Sequence, residues 1–291
     1  MITSKDYLSL LSAQEQGTLE NFSYQTKDYV GDGSIVAKNA VVYLPYGYNP
    51  ADITTRYNIF YLLHGGGGSE RTYMGSPSNP NRLKNMIDHM IEDGHIEPLI
   101  IVMPTFSTQR TTNALVETTQ TFYQEVVNDL IPAVETKYRT YAESVTEDGI
   151  TASRGHRIFG GFSMGGTITW SVFSNAMQAF QYYLPMSGDS WAVGFYGGRD
   201  NNAETVERLY PSGYAANDYS IFTATGTEDM AYDMLPPQVE TMLAYPDAFI
   251  KTETDFTQGN LMLYLVEGNR HDYPYTYEYI YNGLLLFLGD Q

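Results

Sequence analysis

The chain reads as one α/β domain spanning residues 1–291, a mostly parallel central sheet of about eight strands with helices on both faces. Three observations predict this. Apolar runs of strand length alternate with amphipathic helical runs from Tyr57 onward. A Gly-x-Ser-x-Gly turn joins one such run to a helical one. The length suits one large core, and no repeat, low-complexity tract or linker divides it.

Taken in order, the elements begin with a short polar helix at 4–14. Alternating strands at 22–29 and 35–44 follow, and as a hairpin they add an antiparallel edge to the sheet. The apolar run 57–63 is a strand. It precedes a helix at 80–92, closed by Gly94. A strand at 99–104 leads to a helix at 121–138, bent near Pro132, where the ring removes a helical hydrogen bond. The run 157–160 is a strand, and the segment 167–180 after the Gly-x-Ser-x-Gly turn is a helix. Strands at 182–186, 219–225 and 261–266 then alternate with helices at 203–209, 237–244 and 275–288.

The turn Gly161-Phe162-Ser163-Met164-Gly165 is the nucleophile elbow of the α/β-hydrolase fold, in which a strand stops, turns sharply and a helix begins. Glycines flank the serine because side chains there collide with neighbouring backbone. The helix N-terminus behind Ser163 favours negative charge developing nearby. A nucleophilic serine needs a base. In this fold the chain order is serine, acid, histidine. Of the five histidines, His64, His89, His95, His156 and His271, only His271 follows Ser163. The polar segment 267–270 after strand 261–266 is expected to form a loop that delivers it. The acid must hold the imidazole in the right tautomer. Strand 219–225 ends in Gly226-Thr227-Glu228-Asp229 and strand 182–186 ends in Ser187-Gly188-Asp189, and both loops open on the edge that carries Ser163. Asp229 follows the last strand but one, where the fold usually carries its acid. It is favoured over Asp189, with Glu228 a minor option.

Acyl transfer puts negative charge on a carbonyl oxygen, which backbone N–H groups stabilise. Met164 N–H supplies one donor. The run His64-Gly65-Gly66-Gly67-Gly68 after strand 57–63 supplies the other, with Gly66 favoured and Gly65 beside the substrate. A phosphate loop is excluded, because Ser69-Glu70 stands where Lys-Ser/Thr is required. His64 is read as a structural histidine under the glycine loop.

Sixteen basic and 34 acidic residues give a net charge of −18, which repels nucleic-acid backbones and anionic membranes. No apolar stretch reaches membrane-spanning length. The absence of cysteine excludes disulfides and thiolate metal sites, and no His/Asp/Glu cluster has metal spacing, so neither metal nor cofactor is implied. The first residues lack the layout of a signal peptide. The chain is read as secreted with its signal outside this sequence, the alternative being an intracellular protein.

Nine separated motifs resemble feruloyl esterases of carbohydrate esterase family one, often found as modules of plant-cell-wall xylanases. They are YLLHGGG at 61–67, EPLI at 97–100, PTF at 104–106, FYQE at 122–125, YRTYAE at 138–143, FGGFSMGG at 159–166, SGD at 187–189, ATGTEDMAY at 224–232 and YIY at 279–281. The resemblance covers about 57–288. It implies hydrolysis of ferulate or related hydroxycinnamates ester-linked to arabinose on xylan, with feruloylated xylan oligosaccharides or small hydroxycinnamate esters as substrates. It also implies an origin within a larger multidomain enzyme, and a triad of Ser163, Asp229 and His271. Trp191, after Asp189, matches an aromatic that lines the phenolic pocket in relatives. Where relatives often carry tryptophan shortly after the histidine, Asp272-Tyr273-Pro274 stand here. Rival readings are an acetyl-xylan or siderophore esterase, an acyltransferase on the same fold, and a non-catalytic carbohydrate-binding module.

Overall fold

Strand residues send alternate side chains to opposite faces, so strands covered on both faces read as near-continuous apolar runs. The strands β3 (Asn58–Leu63) and β6 (Leu99–Pro104) are buried throughout in the computed structural model, which describes residues 5–12, 14–106 and 111–289. Ile59, Tyr61, Leu63, Ile100 and Val102 join one core. Phe60, Leu62, Leu99, Ile101 and Met103 join the other.

The elements run in chain order as β1 (Thr18–Lys27), β2 (Ile35–Leu44), β3, a two-residue hairpin of β4 (Gly75–Ser76) and β5 (Asn79–Pro80), α1 (Arg82–Glu92) and β6. Next come α2 (Thr112–Glu125), a π-helical turn (Val126–Leu130), α3 (Ile131–Lys137), α4 (Glu147–Ala152), β7 (Arg157–Phe162) and α5 (Met164–Asn175). Last are β8 (Tyr182–Met186), α6 (Gly197–Asp200), α7 (Asn202–Leu209), β9 (Ser220–Glu228), α8 (Leu235–Met242), β10 (Leu261–Arg270) and α9 (Tyr273–Leu288). The eight-stranded sheet has the order β1-β2-β6-β3-β7-β8-β9-β10. The pairs β1–β2 and β2–β6 are antiparallel and the other five are parallel, as the alternating sequence predicts. Helices α2, α3, α5, α7 and α8 cover one face, and α1 and α9 the other.

Four local expectations are corrected. The N-terminal helix at 4–14 is, among its described residues, only a 3-10 turn, Lys5–Leu8. Asn85 Nδ2 and Gln16 Nε2 take the Leu8 and Leu11 carbonyls that a helix would have used. Helix α2 starts nine residues before the predicted 121. Thr111 caps it, and Thr118, Thr119 and Thr121 turn their hydroxyls back onto carbonyls of the preceding turn, so a threonine-rich segment of weak propensity still forms helix. Helix α5 begins directly at Met164 and stops at Asn175, short of the predicted 180. Beyond that point Arg154 captures the Met177 and Phe180 carbonyls. The segment 267–270 is the end of β10, with a register shift between Val266 and Arg270, and is no loop.

Candidate active site

The β7–α5 junction stores strain at one residue. Ser163 sits at φ 56 and ψ −118, a conformation that costs a non-glycine residue about 1–3 kcal/mol. Its neighbours hold it there. Ser163 N–H donates to the Met186 carbonyl at 2.9 Å, and the Ser163 carbonyl accepts from Thr167 N–H at 2.9 Å. A Cβ on Gly161 would lie 2.6 Å from the Gly165 backbone, and one on Gly165 would meet the Leu63 and His64 carbonyls. Both glycines are therefore steric necessities of the elbow.

Asp229 and His271, the expected acid and base, arrive on neighbouring strands. Asp229 follows β9 and caps the 3-10 turn Met230–Asp233, its Oδ1 accepting from Ala231 N–H at 2.8 Å. His271 follows β10. The bulge before it re-aims the chain: Gly268 N–H bonds Thr227 Oγ1 at 2.9 Å, and Gly226 leaves room for the Asn269 carbonyl, which a Cβ would overlap. His271 Nδ1 then lies 2.7 Å from Asp229 Oδ1, and Nε2 lies 3.0 Å from Ser163 Oγ. The Asp229 side chain is fully buried and that of His271 is 26% exposed. The Phe162 ring packs on the imidazole at 4.6 Å. The structure thus brings Ser163, His271 and Asp229 into one hydrogen-bonded row.

The other acid candidates stand elsewhere. Glu228 pairs with Arg270 at 2.8 Å on the surface. Asp189 is buried, and Oδ1 and Oδ2 accept from Trp191 Nε1 at 3.1 Å and Arg199 N–H at 3.2 Å. Burial pushes its carboxyl up to about 6, against the pull of the Trp191 and Arg199 hydrogen bonds. Trp191 is 7% exposed and packs against Phe195 at 4.5 Å, while Gln120 Nε2 donates to its carbonyl at 2.6 Å. It helps line a polar cavity of about 230 Å³, together with Gln120, Thr167, Ser171 and Ser190 among others. Phe195, 41% exposed, is the open aromatic of this loop, which sequence reasoning missed. The Trp-x-x-x-Phe-Tyr spacing at 191–196 was the available signal.

The glycine loop crosses the elbow. A Cβ on Gly65 would come within 3.1 Å of Ser163 Cβ, and one on Gly66 within 3.3 Å of Met164 Sδ. Gly65 N–H donates to Tyr273 Oη at 2.8 Å. The Gly66 and Met164 N–H groups find no protein acceptor among the described residues. His64 is buried beneath the loop and stacks on Phe106 at 4.5 Å. Its ring nitrogens contact the Gly65 carbonyl and Thr105 Oγ1, and burial holds it below the usual imidazole range. It sits as a structural histidine under the glycine loop, as its place in the sequence suggests. Among the described residues, no group of three or more His, Asp or Glu side chains is arranged to hold a metal ion, and no helix is long and apolar enough to cross a membrane.

Sheet order, elbow and the Ser-His-Asp row define an α/β-hydrolase. The chain belongs to the esterase family described as "Putative esterase", whose pattern matches residues 37–248. It is similar to the feruloyl esterase module from Clostridium thermocellum, solved as a serine-to-alanine mutant with sinapinate: 40% identity, TM-score 0.81, covering 98% of this chain and 92% of that one. It is 44% identical over 255 residues to endo-1,4-beta-xylanase Y of Acetivibrio thermocellus, and 28% identical over 158 residues to an endo-1,4-beta-xylanase/feruloyl esterase of Xylanibacter ruminicola. These matches cover 87% and 53% of this chain but only 22% and 20% of those proteins, so the chain spans about a fifth of the length of these curated relatives. A ferulic acid esterase from the anaerobic fungus Anaeromyces mucronatus shares the fold at TM-score 0.70 and 16% identity, covering 98% of this chain and 96% of that one.

Proposed function

We propose that the chain hydrolyses esters of ferulate and related hydroxycinnamates carried on arabinoxylan, as the secreted esterase module of a longer enzyme that degrades plant cell walls. The observation that carries the reading is His271, bonded on one side to buried Asp229 and on the other to strained Ser163. The 40% identity to a feruloyl esterase module over nearly its whole length supports the substrate class.

In this reading Asp229 keeps the His271 proton on Nδ1, so Nε2 is free to take the Ser163 proton. Ser163 Oγ attacks the feruloyl carbonyl, and the negative charge gathers on an oxygen facing the Met164 and Gly66 N–H groups, which have no acceptor among the described residues. His271 returns the proton to the departing sugar oxygen. Water then cleaves the feruloyl-enzyme by the same steps and releases ferulate. Gly65 allows the ester close to Ser163. Trp191 walls the aromatic ring, and Asp189 acts on the ring through Trp191, whose indole it holds. The test is Ser163→Ala assayed on methyl ferulate, methyl sinapate and p-nitrophenyl acetate beside the parent protein. A loss of about 10⁴-fold or more on all three, in a folded variant, is expected. An unaltered rate on methyl ferulate would sink the serine mechanism.

A further inference from the structure

We infer that Tyr273 is a positioning residue of the oxyanion hole: its phenolic oxygen anchors Gly65, and so sets the direction in which Gly66 N–H points. The inference rests on the esterase reading above.

Glycine has no side chain to restrict it, so a Gly-Gly-Gly-Gly loop offers a donor only if other groups fix its peptide planes. Gly65 is fixed on both sides. Its carbonyl receives His64 Nδ1 at 2.7 Å and Gly68 N–H at 3.1 Å. That carbonyl shares a peptide plane with Gly66 N–H, and in a trans peptide the two groups point opposite ways. Both carbonyl partners come from within the loop itself. The anchor from outside is Tyr273 Oη, which accepts the Gly65 N–H at 2.8 Å across 208 residues of sequence. Without it, Gly65 turns more freely about its backbone bonds, and its own N–H is left unpaired at a buried position.

Tyr273 is itself held firmly. It is the first residue of α9, and Asp272 Oδ1 accepts its N–H at 2.8 Å. Its ring packs on Phe162 at 5.0 Å and lies edge-on to buried Tyr73 at 5.3 Å. Phe162 in turn packs on His271 at 4.6 Å. The segment that carries the base therefore also carries the prop of the oxyanion loop, and base and donor are set from one rigid origin. A Cβ on Gly68 would fall 2.9 Å from the same phenolic oxygen, so the loop closes around it.

Tyr273→Phe keeps every ring contact and deletes the acceptor. The expected result on methyl ferulate is a fall in kcat of about tenfold with KM nearly unchanged. That is less than the 10²–10³ lost when a donor is removed outright, because Gly66 N–H is loosened and not deleted. Affinity for a trifluoromethyl ketone analogue of ferulate, whose adduct with Ser163 carries an oxyanion, should fall by the same factor. Affinity for free ferulate should hold, and the melting temperature should fall by no more than a few degrees, the cost of one unpaired buried N–H. Tyr273→Phe with parental kcat and ketone affinity overturns the inference, as does a raised KM with kcat intact, which would assign the phenol to substrate binding. A parent protein inactive on methyl ferulate would overturn the esterase reading instead, so the two failures are told apart.

Discussion

Replacing Asp229 with asparagine tests the acid–base array where the geometry is most exacting. Asp229 Oδ1 accepts two hydrogen bonds at once, from His271 Nδ1 at 2.7 Å and Ala231 N–H at 2.8 Å, while Oδ2 is buried with no partner among the described residues. Asparagine has two poor choices. With its oxygen toward both donors, it buries an amide NH₂ where Oδ2 stood, without an acceptor, at a cost of about 1–3 kcal/mol in stability. With its NH₂ toward them, it faces the Ala231 N–H and forces His271 to carry its proton on Nε2, where the ring cannot accept from Ser163. The second arrangement removes the base without moving a heavy atom. The expected fall in kcat is about 10³- to 10⁴-fold, or about 4–5.5 kcal/mol of transition-state stabilisation. Asp189→Asn should cost less than about tenfold, because Asp189 reaches Trp191 and Arg199 N–H and not His271. The assay is kcat and KM on methyl ferulate for both variants, with circular dichroism to establish folding. If Asp189→Asn is the more damaging of two folded variants, the assignment of the acid is refuted.

Three further outcomes are expected. Trp191→Ala should lower kcat/KM on methyl ferulate about tenfold, from the lost aromatic contact, while p-nitrophenyl acetate, too short to reach that wall, changes little; equal losses on both esters would mean that Trp191 only supports its loop. Glu135→Ala should destabilise the fold by about 3–5 kcal/mol in urea titrations, because it strands the buried Arg157 guanidinium that Glu135 grips at 2.6 and 3.0 Å; a loss below about 1 kcal/mol would contradict that account. The raised carboxyl of Asp189 sets a pH dependence of stability: between its unfolded value of 3.8 and about 6 the folded chain holds the extra proton, so stability falls as pH rises through that window, by at most about 3 kcal/mol. Urea midpoints at pH 4.5 and 6.5 should therefore fall more steeply in the parent than in Asp189→Asn, and identical slopes would reject the assignment.

The sheet was legible because its signals are local and repeated. Strands such as Asn58–Leu63 are buried at every position and apolar after Asn58, as a doubly covered sheet favours, and the eight strands and the antiparallel edge follow. The errors fall where distant groups override local preference. The Leu8 carbonyl is claimed by Asn85, 77 residues away, and the Phe180 carbonyl by Arg154, 26 residues back. No window of ten residues contains either partner.

The same division runs through the site. Ser163 could be read from five residues because the crowding that selects Gly161 and Gly165 arises largely within the turn and against the end of one adjacent strand. His271 emerged by elimination among five histidines, and Asp229 by its place after a strand. Neither inference needed the bulge that aims His271, which the sequence presented as an ordinary polar loop. The bond between Tyr273 and Gly65 lies beyond any such rule. It joins residues on opposite sides of the elbow, and either one alone looks unremarkable: a tyrosine in a chain of 26 tyrosines and a glycine in a run of four. A nucleophile motif is conspicuous because one short peptide must satisfy several steric demands at once. The oxyanion loop meets its demands with partners drawn from across the chain, so its geometry becomes visible only when the sheet has brought the ends of β3 and β10 to one edge.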